Sequence, residues 1–147
     1  MVNSYIQLYI DFLNALKNEI SLYKNEENIW KLEGEISNTP GNLCLHLCGN
    51  LKHFYGAILG NTGYIRERDL EFSRKNVGRE ELIREVDETI IVMEKVFDGL
   101  TLEDVNKIYP IDKFGKNVTY GFIFSRLISH LSYHIGQINY HRRIVDS

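Results

Sequence analysis

The stretch 129-SHLSYHIGQINYHRR-143 decides how this chain is read, because it places His130, His134 and His141 at steps of four and seven. In a helix those steps keep residues on one stripe. The apolar residues Phe124, Leu127, Ile128, Leu131, Ile135 and Ile138 recur at three- and four-residue steps around them, the mark of an amphipathic helix. Thr119 is a good N-cap, so this last helix is expected over about 120–145.

Working back from it, "EELIREVDETIIVMEKVFDG" predicts a helix over 79–98 with Leu82, Val86, Ile90, Met93 and Phe97 as its seam, closed by Gly99. Thr39 and Pro40 supply an N-cap and a first helical residue for a second helix reaching about Leu59. Residues 2–24 repeat the same periodicity through Ile6, Tyr9, Leu13, Leu16, Ile20 and Tyr23. Between the second and third helices lies a polar loop, "GNTGYIRERDLEFSRKNVG", long enough to be suspected of a role. The segment 101–118 reads as irregular, with a short helical turn and an extended pair. Four long amphipathic helices in a single domain over 1–147 imply an all-α four-helix bundle.

The chain has 147 residues, 44% of them hydrophobic, and a net charge of −3. A core can be filled without disulfides. No cluster of Lys and Arg gives the electrostatic footprint of a nucleic-acid binder. No segment approaches the roughly 20 apolar residues that cross a bilayer. The N-terminus has neither the basic start nor the apolar run of a signal peptide, so a cytoplasmic protein with no membrane partner is expected. The two cysteines, Cys44 and Cys48, suit a reducing compartment.

Helical wheels put the histidines on polar borders. On the last helix His134, His141, His130 and Gln137 all flank one side of the Leu131 seam, within about 120° of it. On the second helix Asn50, His46 and His53 flank the Leu47 seam in the same way, whereas Cys44 and Cys48 fall on the opposite border. At about 1.5 Å per residue, His130 and His134 stand roughly 6 Å apart along the axis, near enough to grip one ion; His141 is roughly 10 Å beyond His134. The same seven-residue gap separates His46 from His53, so one of the two, left open by spacing, is expected to complete a three-histidine site. Three protein ligands leave a position for water or substrate, as in reactive metal sites. His53 and His141 otherwise read as boundary residues, and Asn50 and Gln137 as partners that orient a ligand imidazole or bond neighbouring backbone. The charge cluster Arg66, Glu67, Arg68, Asp69 and Glu71 reads either as a solvated loop or as a rim on which Arg66 and Arg68 position an anionic substrate.

Three segments together, "HLCGNL" (46–51), "RERDLEF" (66–72) and "HLSYHIGQI" (130–138), resemble the DinB-like superfamily of bacterial four-helix bundles, described as metal-dependent enzymes. The resemblance implies a metal site of His46, His130 and His134, choosing His46 over His53. It implies zinc or nickel, and iron also suits imidazole ligands. Some members of that superfamily transfer low-molecular-weight thiols, such as bacillithiol, mycothiol or glutathione, onto small electrophiles. The function expected is accordingly a thiol S-transferase-like activity on a small molecule. A metal-dependent hydrolase and a non-catalytic metal- or ligand-binding module of a stress response are the alternatives. A homodimer is expected, since bundles of this size often bury a helix face against a second copy.

Overall fold

The computed structural model describes residues 2–147. Its long helices are α1 (Val2–Leu22), α2 (Pro40–Leu51), α4 (Arg79–Asp98) and α5 (Tyr120–Val145), with a short α3 (Arg68–Ser73) between α2 and α4. The expected caps are in place. The Thr39 hydroxyl accepts from the Asn42 amide at 3.1 Å, and the Thr119 hydroxyl from the Phe122 amide at 3.1 Å, each satisfying a donor that the first helical turn leaves free. The connection after α4 carries a 3-10 turn, Leu102–Asn106, and a single antiparallel bridge between Ile108 and Thr119.

Side-chain contacts fix the helix directions. Tyr5 meets Ser125 and Tyr23 meets His141, so α1 and α5 run parallel. Lys17 pairs with Asp87, and Arg79 bonds the Tyr23 carbonyl, so α4 runs against α1. Lys52 pairs with Glu85, and Gly56 lies against Val92, so α2 runs parallel to α4 and against α5. Helices α1 and α2 each pack on both α4 and α5 and so sit across a diagonal from one another. This is the expected all-α bundle, in an up-down-down-up order.

Two parallel helices cannot be joined by a short turn. The chain must climb back along the bundle from the end of α2 to the start of α4, and residues 61–78 are that crossover. It leaves α2 through Asn61 and Gly63, both at positive φ, where a residue with little or no Cβ conflict is favoured. Part of it then folds as α3 against α2.

Two boundaries differ from expectation. The second helix is α-helical only to Leu51 and continues as a π-helical segment, Lys52–Ala57. There the Ile58 amide bonds the His53 carbonyl at 3.0 Å, while the Phe54 carbonyl takes a hydrogen bond from the Tyr109 hydroxyl at 2.5 Å. Helix α3 stands in a segment expected to be loop. Its sequence is a charge cluster without apolar periodicity, and its ending is stabilised from outside: the buried Asn42 amide donates to the carbonyls of Glu71 and Arg74 at 2.9 and 2.8 Å. With α3 on its outer side, every residue of α2 is buried, not only the stripe that the wheel assigns to the core.

His141 faces inward as well. One ring nitrogen takes the Tyr23 hydroxyl at 2.7 Å and the other meets the Lys31 carbonyl at 2.7 Å, so it ties α1 and the α1–α2 connection to α5. Since the carbonyl can only accept, the proton sits on Nε2 and Nδ1 accepts from Tyr23. Burial pushes the His141 pKa below its ordinary 6.5. The unfolded chain therefore takes up this proton first, and the contribution of His141 to stability is present above about pH 6.5 and fades as the pH falls through the lower folded value. We expect His141→Ala to cost about 2–4 kcal/mol of unfolding free energy, because it opens a cavity and removes a partner from the buried Tyr23 hydroxyl and from the Lys31 carbonyl. Urea titrations at pH 7.5 and 5.5 check this: the variant should be destabilised most at the higher pH.

Candidate metal centre

His46 projects from α2, and His130 and His134 project from successive turns of α5. Each offers a ring nitrogen, and the three nitrogens lie within 4.8 Å of one another, close enough to hold a metal ion. His46 is buried and the other two are partly buried. His53, the other candidate on the second helix, lies outside this group, as does His141. Cys44 and Cys48 are buried and free; donation of the Cys44 S–H to Cys48, together with burial, holds the Cys44 thiol well above its ordinary pKa. Neither cysteine joins the cluster.

The protons on the three rings follow from their neighbours. His46 Nδ1 lies 3.0 Å from Glu71 Oε1. Although burial alone would raise the Glu71 pKa, hydrogen bonds from His46 and Arg66 hold it below the ordinary carboxylate value. An ionised carboxylate only accepts, so His46 carries its proton on Nδ1 and turns the Nε2 lone pair inward. His134 Nδ1 is 2.7 Å from Gln137 Oε1, which fixes the same tautomer and again leaves Nε2 free. His46 Nε2 then faces His130 Nε2 at 3.1 Å. That contact needs a proton on one of the two Nε2 atoms, and in either case His130 Nδ1 is buried without a partner among the described residues. The cluster is thus incompletely satisfied by protein groups. Two nitrogens sharing a zinc ion at tetrahedral angles would stand about 3.4 Å apart, close to the separation here.

Burial, then the His134 and His46 imidazoles and the Arg66 and Arg126 guanidiniums, push the His130 pKa down to about 4. Burial likewise lowers His134, with the Gln137 hydrogen bond opposing it. Both rings are therefore neutral near pH 7, the form that binds a metal.

Glu71 is the residue of the candidate site that the sequence does not single out, since it reads there as one charge of a cluster. It is buried, gripped by Arg66 through two contacts of 2.9 Å, and seated against Gly49. A Cβ built on Gly49 would lie 2.0 Å from Glu71 Oε2, so only glycine three residues after His46 admits the carboxylate. Asn42 anchors the same short helix by its C-terminal carbonyls, and Phe72 lies against the His46 ring at 4.8 Å between centroids. Arg66 thus gives Nε and Nη2 to Glu71, whereas Arg68 stands on the Phe72 ring at 5.1 Å. Asn50 is buried near His46 and its side-chain oxygen has no partner.

The cluster lies between two hollows. One, of about 600 Å³, is bordered by His46, His130, Asn50, Phe54, Phe114 and Tyr133, with cationic side chains around it. The other, of about 500 Å³, is reached past His134 and is mostly apolar, with Ile36, Pro40, Leu43, Tyr140 and Ile144 in its wall.

A carboxylate behind a ligating imidazole commonly accounts for 10–100-fold in metal affinity. Glu71→Gln should weaken zinc binding by about that factor while the far-ultraviolet circular dichroism stays that of a helical bundle. Gly49→Ala should act in the same direction by displacing Glu71. Competition titration against a zinc chelator reads both, and unchanged affinity in the two variants would remove Glu71 from the site.

No curated protein and no solved structure matches the chain. A family profile does, over residues 2–147, and its description is "Protein of unknown function (DUF1572)". A match of that extent, on a bundle that brings His46, His130 and His134 together, makes this chain a member of that family.

Proposed function

We propose that the chain is a DinB-like metal-dependent enzyme that uses His46, His130 and His134 to hold a zinc or nickel ion and transfers a low-molecular-weight thiol to a small electrophile. The observation that carries this reading is the three-nitrogen cluster, with His46 and His134 each holding a proton on Nδ1 and a lone pair on the inward Nε2. When bound, the ion supplies Lewis acidity that lowers the pKa of a thiol or a water and makes it nucleophilic near neutrality.

The residues around the cluster favour a thiol over water. Glu71 cannot act as a general base on a substrate, because one oxygen takes the His46 proton and both are held by Arg66. Among the described residues, no carboxylate borders the larger hollow. A thiol starts with a pKa near 8.5 and needs little help to ionise, whereas water starts near 15.7. Transfer between two molecules also needs two places beside the reacting atoms, and a hollow past His134 together with one beside His130 supports that reading. Gln137 keeps the His134 lone pair directed inward, and Glu71 does so for His46.

Elemental mass spectrometry on protein purified without chelator should give one zinc or nickel per chain, lost in His134→Ala with the helical fold kept. Cobalt(II)-substituted protein then separates the readings. Addition of glutathione or bacillithiol should produce a sulfur-to-cobalt charge-transfer band, followed by turnover with a fluorogenic electrophile. Metal binding without that band or turnover would leave a metal-binding module, and no metal after reconstitution would defeat the proposal.

A further inference from the structure

We propose that the larger hollow beside the histidines is a binding pocket for a small anion, a molecule carrying a carboxylate or phosphate group, with Arg68, Lys113 and Arg126 as its recognition residues. All three border the hollow together with Arg66, and no acidic residue of the described chain does. That is a local reversal of a protein that carries 20 acidic against 17 basic residues.

Arg66 is balanced by Glu71, but the other three cations are not. None of Arg68, Lys113 and Arg126 takes part in an ion pair among the described residues, whereas Arg66 and five other lysines and arginines, Lys17, Lys52, Arg74, Lys107 and Arg142, do. The two guanidiniums are held by aromatic faces instead: Arg68 lies 5.1 Å from the Phe72 ring centre and Arg126 lies 5.3 Å from that of Phe114. Stacking on a ring fixes the plane of a guanidinium and leaves its N–H edge free, the edge that binds carboxylate or phosphate bidentately. A second observation points to a ligand in the same hollow. Asn50 is 7% exposed, borders the hollow, and its side-chain oxygen has no hydrogen-bond partner. A buried amide oxygen without a partner is costly in a closed protein and is relieved by a ligand that carries a hydroxyl or N–H beside its anionic group. The volume, about 600 Å³, suits a small metabolite.

The role of this pocket as a substrate site rests on the metal-enzyme reading, but its affinity for anions does not, and the test separates the two. Binding of succinate and of inorganic phosphate is measured by isothermal titration at low ionic strength, on metal-free and zinc-loaded protein. We expect one saturable anion per chain in both forms, weakened about tenfold or more in Arg68→Gln and in Arg126→Gln. Arg143→Gln, whose guanidinium stacks on Tyr140 away from the hollow, serves as control and should bind as the parent does. Circular dichroism verifies that each variant is folded. Anion binding retained in His134→Ala, with zinc lost, supports the pocket independently of any metal chemistry. Equal affinity in the parent and both pocket variants, no saturable binding of either anion, or binding seen only with zinc and indifferent to both arginines would overturn the proposal.

Discussion

A carboxylate buried to 6% exposure has to be compensated, and the way Glu71 is compensated organises the centre of this protein. Two contacts from the Arg66 side chain and one from His46 Nδ1 satisfy it, a charge-assisted arrangement in place of a lone buried charge. Each partner is constrained in return. His46 is held in one tautomer, Arg66 is withdrawn from solvent, and α3 is fixed against α2. The condition for all three is a gap in the surface of α2, and Gly49 is that gap, since a single Cβ would collide with the carboxylate at 2.0 Å.

The need for such a tie comes from topology. Because α2 and α4 run parallel, the chain between them must travel the length of the bundle, and an unanchored crossover of that length would cover α2 poorly. Asn42 holds the C-terminal carbonyls of α3, Glu71 holds its middle, and the Trp30 indole bonds the Val77 carbonyl near the crossover's end. The same anchoring buries the whole circumference of α2. This explains why "GNLCLHLCGNL" carries no charged residue while the segment above it is dense in charge. One crossover therefore completes the core and supplies a polar shell to the candidate metal centre.

That division also explains what could be read from sequence. The seams around Leu131 and Leu47, the caps at Thr39 and Thr119, and the four-residue step from His130 to His134 are local, and periodicity or capping chemistry exposes them. Choosing His46 over His53 needed more than spacing, because both lie on the same border of the helix. In the structure, the contact with Glu71 and the convergence on α5 distinguish them. Helix α3 escaped because its stability is tertiary: no apolar stripe marks it, and its C-terminal carbonyls are satisfied by Asn42 from another element. Lys113 and Arg126 escaped for a related reason. They come from the connection before α5 and from α5 itself, and only the fold sets them beside Arg68.

The electrostatics of the site then follow from how charge is distributed around the three rings. Arg66 and Glu71 cancel as a pair, and burial keeps the His130 and His134 rings unprotonated near neutral pH. The cations nearby reinforce that state, since Arg66 and Arg126 both contribute to holding the His130 pKa near 4. Lone pairs are thereby kept available at neutral pH, although a divalent ion added there would bring uncompensated positive charge into a region already bordered by Arg68, Lys113 and Arg126. Among the described residues no acidic side chain borders that hollow, and Glu71, the carboxylate in contact with His46, is committed to Arg66. An anionic nucleophile or an anionic substrate group is the species that such a site stabilises, which is why a thiolate-forming chemistry and an anion pocket fit the same set of residues.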